Sequence, residues 1–298
     1  MPRLATRKST NKRRRKVLFA ALCGIALLLL GDYCFYPMLG AGGRSFNKGE
    51  NGAWLHYSWY FGSHSEQEVQ ALGNQLNANQ IRYAYFHVRF VGKDGRLRFH
   101  YAKQAQQLNR VLERSAPNVR AVAWIYIGNE RGLTGVDIGN AKVRANIVQA
   151  ARWLIETCGF VGVQLDYEMC EDGDKSFLQL LRETRSSLPK DKLLSVATPM
   201  WLPSMFHAWG WSENYFAQVA ANCGQVVVMG YDSALFFPRH YVWLMQQQSI
   251  RVTRGGQGKR AMSSTRWRPD LQRRWDLAPF ARRKHSHGAQ RRARRFGR

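Results

Sequence analysis

Asp166 and Glu168 stand two residues apart at the end of the segment 160–168, FVGVQLDYE. Side chains of an extended chain alternate between faces. Gly162, Gln164, Asp166 and Glu168 therefore share one face, and Val161, Val163, Leu165 and Tyr167 the other. Two carboxylates on one face, with backbone positions about 6.6 Å apart, do not easily both ionise. One pKa rises, and the group that keeps its proton can act as an acid. Spacing alone fits equally well a pair of acids that cap a strand end and the loop after it.

Something must position that face. Between residues 53 and 250 short apolar, β-branched or aromatic segments alternate with amphipathic stretches, the pattern of repeated βα units and a parallel sheet. Six units can be counted. The strands are expected at Trp54–Phe61, Ile81–Val91, Val119–Ile127, Phe160–Glu168, Leu193–Met200 and Gln225–Asp232. The helices are expected at Ser65–Asn79, Ala102–Ser115, Lys142–Thr157, Asp174–Leu188, Ser212–Asn222 and Pro238–Gln248, with Asp174 as an N-terminal cap. Six units suit either a doubly wound sheet or a barrel. In a barrel the apolar face of 160–168 packs on helices, and its polar face points down the axis to the carboxyl-terminal mouth, where such enzymes place their sites. The expected class is α/β, a TIM (β/α)8-type barrel with about six βα units recognisable.

FVGVQLDYE resembles the fourth-strand signature D-G-x-D-x-D-x-E of the family-18 glycoside hydrolases, the chitinase-like enzymes. Met229-Gly230-Tyr231-Asp232 resembles that family's M-x-Y-D, and 173–178 and 194–199 resemble bacterial chitinase-like barrels. The resemblance covers roughly residues 53–248. It implies that Glu168 takes the place of the general acid and Asp166 that of the aspartate orienting the substrate acetamido group. It also implies that Tyr231 and Asp232 contact the sugar and its acetamido group. The reaction implied is a retaining hydrolysis in which the substrate's N-acetyl oxygen attacks the anomeric carbon while Glu168 protonates the leaving oxygen. No protein nucleophile, metal or cofactor is required.

Two positions depart from the signature. Val161 replaces its first aspartate, on the helix-facing side. Gln164 replaces the second, which in the family shares a proton with the third; an amide can hydrogen-bond Asp166 but cannot take its charge. Aromatic residues near the expected mouth, Trp59, Tyr60, Trp124, Tyr126 and Trp201, suit sugar stacking as well as core packing. Glu130 and Asp137, in the loop after the third strand, suit substrate contact or plain solvation.

The ends of the chain differ from its body. Residues 1–16 carry eight Lys/Arg and no acid, and 251–298 carry sixteen against Asp270 and Asp276. The stretch 17–250, with 21 basic and 18 acidic residues, is close to balanced although the whole chain carries +25. Nothing in the body calls for a nucleic acid, so no specific nucleic-acid partner is expected. The five cysteines have neither metal-ligand spacing nor the density of a disulfide framework.

A basic cytoplasmic tail (1–16) precedes a membrane anchor or signal sequence (17–39), whose apolar core is Val17–Leu30. Under the positive-inside rule the expectation is a single pass through a bacterial-type inner membrane, with the barrel outside the cytoplasm. Cleavage, for which Leu39-Gly40-Ala41 is the available site, would make the chain secreted. The expected partners are a polysaccharide or other glycan and, through the N-terminal segment, the membrane.

Residues 251–298 read as a basic, disordered tail. A closed barrel of this type needs eight strands, and neither Trp267 nor Trp275 lies in a strand-like context that would supply the family's last-strand tryptophan. An incomplete barrel, truncated or frame-shifted after about residue 250, is therefore expected. The rivals to an active hydrolase are a non-catalytic carbohydrate-binding barrel and an inactive truncated pseudoenzyme.

Overall fold

The computed structural model describes residues 6–35, 47–129, 134–206, 210–231 and 235–256. Six strands, β1 (Asn51–Leu55), β2 (Ile81–Phe90), β3 (Arg120–Gly128), β4 (Gly162–Glu168), β5 (Leu193–Thr198) and β6 (Gln225–Val228), pair in sequence order. Every pairing is parallel. The helices are α1 (Thr6–Phe35), α2 (Ser58–Phe61), α3 (Glu66–Ala78), α4 (Ala102–Ser115), α5 (Ala141–Glu156), α6 (Lys175–Ser187), α7 (Glu213–Asn222) and α8 (Pro238–Gly256). The sheet curls: the Tyr85 hydroxyl of β2 donates to Gln225 Oε1 of β6 at 2.8 Å, and Val227 packs with Tyr83 and Tyr85. The result is a half-barrel of βα units. Among the described residues β1 and β6 do not pair to close it.

The expected alternation on β4 is realised. Val163, Leu165 and Tyr167 lie in the main core under the helices, which also holds Ile147, Leu154, Phe177, Leu180 and Leu181. Fully burying each such aliphatic side chain is worth about 1.5–3 kcal/mol. The concave face of the sheet carries a second, smaller cluster of Tyr83, Tyr85, Val122 and Val227, joined by Trp54, Trp124 and Leu193. Gly162 lets β4 approach β5, since a Cβ there would lie 2.5 Å from the Leu193 carbonyl oxygen.

Helix starts follow local chemistry. Ser65 and Glu68 form a capping box at α3, and Asn140, Asp174 and Ser212 accept backbone N–H bonds at α5, α6 and α7. The first strand departs from expectation. β1 ends at Leu55, and Ser58–Phe61 is helical, because Tyr60 turns inward to lie fully buried. Its hydroxyl donates to the Phe99 carbonyl and accepts from Tyr101 N–H. Aromatic enrichment reads as strand only where the surroundings present a flat, half-buried surface.

Within α1, Lys12–Phe35 is a 24-residue stretch long and apolar enough to cross a membrane, none of it buried. Near its end Arg239 Nε and Nη2 donate to Asp32 Oδ1 at 3.0 and 2.8 Å, and Tyr33 meets Phe237 edge-on at 6.3 Å. α8 continues six residues past the expected boundary at 250. It packs on α7, with Arg251 3.3 Å from Glu213. Residues 257–298, with Trp267 and Trp275, and the cleavage position Leu39-Gly40-Ala41 lie outside the described residues.

Candidate active site

β4 delivers Asp166 and Glu168 to the carboxyl end of the concave face. Strand register sets their neighbours: Trp124 pairs with Gln164, Tyr126 with Asp166 and Gly128 with Glu168 on one side, and Ser195 with Gln164 and Ala197 with Asp166 on the other. Asp166 is 2% exposed. Trp124 Nε1 donates to its Oδ2 at 2.8 Å, while Oδ1 is buried without a partner among the described residues. Burial, reinforced by the nearby Glu168 charge, pushes the Asp166 carboxyl up to about 7 against the pull of the Trp124 donor. Glu168 is only partly buried. Desolvation raises its pKa too, opposed by a hydrogen bond from Tyr126.

Both carboxyls are therefore biased toward their protonated forms, and the more enclosed one is the floor of the site. His87 of β2 stacks on Trp124 with centroids 4.2 Å apart; burial and the nearby Arg89 charge lower its pKa to about 4, so the ring is neutral near pH 7.

The other sequence candidates fall in varied places. Gln164 is fully buried and does not bond Asp166: its Oε1 accepts from Trp54 Nε1 at 2.7 Å and its Nε2 donates to Ser195 Oγ at 3.1 Å. With both ends of its amide committed to the protein, Gln164 is a wall element beneath the site. Trp59 is not on the concave face. It sits on α2, stacked on His64 at 4.2 Å, and lines a cavity of about 240 Å³ in the helical layer with Lys103, Gln104 and Gln107.

Trp201 follows β5 by three residues. Its N–H and C=O are both bonded by the side chain of Gln248, and Arg251 lies 5.1 Å above its ring. Met229 is half-buried just past β6, its N–H on the Thr198 carbonyl, and Tyr231 is exposed beyond it. Asp232 and Glu130 lie outside the described residues. Asp137 shapes the turn before α5 by accepting Gly139 N–H at 2.8 Å.

Sequence reasoning missed Trp54, His87 and Ser195 as parts of this wall. Period-two alternation would have put each on the concave face, but only register shows what each one meets.

No family model matches the chain, and no curated protein does. Among solved structures, the spore cortex-lytic enzyme SleL of Bacillus cereus matches with TM-score 0.54 at 16% identity, covering 72% of this chain and 49% of that one. SleL of Bacillus megaterium QM B1551 matches with TM-score 0.50 at 16% identity, with coverage of 72% and 49%. A C-terminal domain assigned to a chitinase, from Desulfitobacterium hafniense DCB-2, matches with TM-score 0.50 at 15% identity, with coverage of 67% and 63%.

The fold is that of the chitinase-like barrels. At these identities the likeness is one of fold, and the chain spans about half the length of the two SleL structures. In this chitinase-like half-barrel, a buried acid and a half-buried acid stand at the carboxyl end of the fourth strand.

Proposed function

We propose that the chain is a retaining glycoside hydrolase acting on an N-acetylhexosamine-containing glycan. The observation that carries this is the pair on β4: two carboxyls with raised pKa values at a barrel mouth, each given one aromatic hydrogen-bond donor. Glu168, the less enclosed of the two, has its pKa raised by desolvation and can pass a proton to a glycosidic oxygen. Asp166, whose Oδ1 has no partner among the described residues, can accept the N–H of a substrate acetamido group. The carbonyl oxygen of that group would then attack the anomeric carbon as the bond to the leaving oxygen breaks. Water opens the resulting ring, and Glu168 takes its proton back.

Glu168→Gln keeps shape and hydrogen bonding but removes the proton donor. Hydrolysis of a chromogenic N-acetylglucosaminide should fall about 10²–10⁴-fold while oligosaccharide binding persists. Full activity in this variant would remove Glu168 from the reaction.

One observation favours a second reading, a non-catalytic carbohydrate-binding barrel. Gln164 is tied to Trp54 and Ser195, so position 164 offers Asp166 no carboxylate with which to share a proton. Wild-type binding without any hydrolysis would select that reading.

We also infer that α1 anchors the barrel to a membrane with its basic end cytoplasmic. Protease added outside intact cells should then cut the chain beyond about residue 40. Cutting only after the cytoplasm is opened would reverse the topology.

A further inference from the structure

The register between β2 and β3 slips between His87 and Phe90, and inside the slip Arg89 has φ +73°. That left-handed conformation is uncommon and costly for a side chain of this size. An irregularity of this kind re-aims the side chain it carries. Here it sends the guanidinium over Tyr57, with Cζ 4.5 Å from the ring centroid, and beside Phe99 at 5.6 Å and Phe90 at 5.7 Å. Among the described residues no carboxylate pairs with it and no acceptor receives its N–H groups.

The location is the mouth. Phe90 pairs with Tyr126, and Tyr126 with Asp166, so Arg89 is nearly level with the carboxyls and two strands away, about 10 Å by strand spacing. One register step below that line stand His87 and Trp124, stacked on each other. Aromatic faces hold a guanidinium through its π-system and leave its in-plane N–H edge available. That edge matches a carboxylate in a bidentate fork.

We propose that Arg89 recognises a carboxylate on the glycan, borne on a sugar ring or its substituent. The substrate class is then an acidic N-acetylhexosamine polymer and not a neutral one. The inference rests on the glycan-binding reading above, but not on turnover.

The test is equilibrium binding to the full chain in detergent. Three tetrasaccharides serve as probes: alternating N-acetylglucosamine and N-acetylmuramic acid, the same compound with its carboxyls reduced to alcohols, and N-acetylglucosamine alone. The acidic probe should bind about tenfold tighter than its reduced form, and the difference should shrink with added salt. Arg89→Gln and Arg89→Gly should bind both forms alike. Arg89→Gly relieves the left-handed backbone, so it should melt at or above the wild-type temperature and separates lost recognition from lost folding.

Equal binding of the acidic and reduced probes by the wild type overturns the proposal and leaves the hydrolase reading standing. So does an equal loss for both probes in the Arg89 variants. Acid preference without hydrolysis of any probe upholds the proposal and removes the hydrolase reading. Failure of all three probes to bind overturns both.

Discussion

The two strands that flank β4 treat its carboxyls differently. β3 reaches across with large aromatic donors, each bonding the acid one step ahead of its own partner: Trp124, level with Gln164, bonds Asp166, and Tyr126, level with Asp166, bonds Glu168. β5 offers small side chains. Ser195 is taken by Gln164, and Ala197, level with Asp166, has no polar group to give. The protonation of the two acids is thus tuned from the β3 side. With Oδ2 tied there, Asp166 Oδ1 has no donor among the described residues and is left for one from a ligand.

The largest way to break this asymmetry is Asp166→Asn, which should lower hydrolysis about a hundredfold through lost positioning. It should also stabilise the fold at alkaline pH. The Asp166 carboxyl stands at about 7 in the folded chain against 3.8 ordinarily, so the folded state keeps a proton that the unfolded state releases. Stability is therefore full below pH 3.8, falls between 3.8 and 7, and stays low above. Asparagine does not titrate. The variant should melt higher than wild type at pH 8 and match it near pH 3, as calorimetry would show; equal melting at pH 8 would contradict the buried acid.

Trp124→Phe removes the donor to the ionised form of Asp166. Its pKa should climb further, and kcat/KM at pH 7 should drop about tenfold. Tyr126→Phe does the same to Glu168, which is less enclosed, so the effect is smaller. The alkaline limb of the pH–rate profile should move to higher pH with little loss at its maximum. Smallest of the set, Ala197→Ser gives the bare flank a hydroxyl level with Asp166. That should bring the Asp166 titration down from about 7, read as a shift of the corresponding limb. No shift would mean that the β5 flank does not face Oδ1.

The sheet, its parallel order and the two faces of β4 were legible because each rests on local alternation and on helix caps such as Asp174. Neighbour relations were not. Gln164 looked like a partner for Asp166 because the two share a strand face, but Trp54 and Ser195 compete for its amide and win. Trp124 and Tyr126 looked like stacking surfaces; their N–H and O–H groups are used on acids reached only through a diagonal register. Trp59 was misplaced for a more local reason, since the buried Tyr60 turns the chain into α2 before a longer strand can form.

The contact of Arg239 with Asp32 bears on how far the barrel reaches. Both side chains are partly exposed, 56% and 31%, and pairs of this kind are worth about 0–1 kcal/mol. Such a clasp holds its closed arrangement over the open one by a factor of about five at most. With α1 read as an anchor, opening of this contact frees the barrel from the end of the helix. Its range is then bounded by the twelve peptide links from Phe35 to Asn47, roughly 40 Å of chain at full extension. Higher ionic strength weakens the ion pair and so favours the open arrangement.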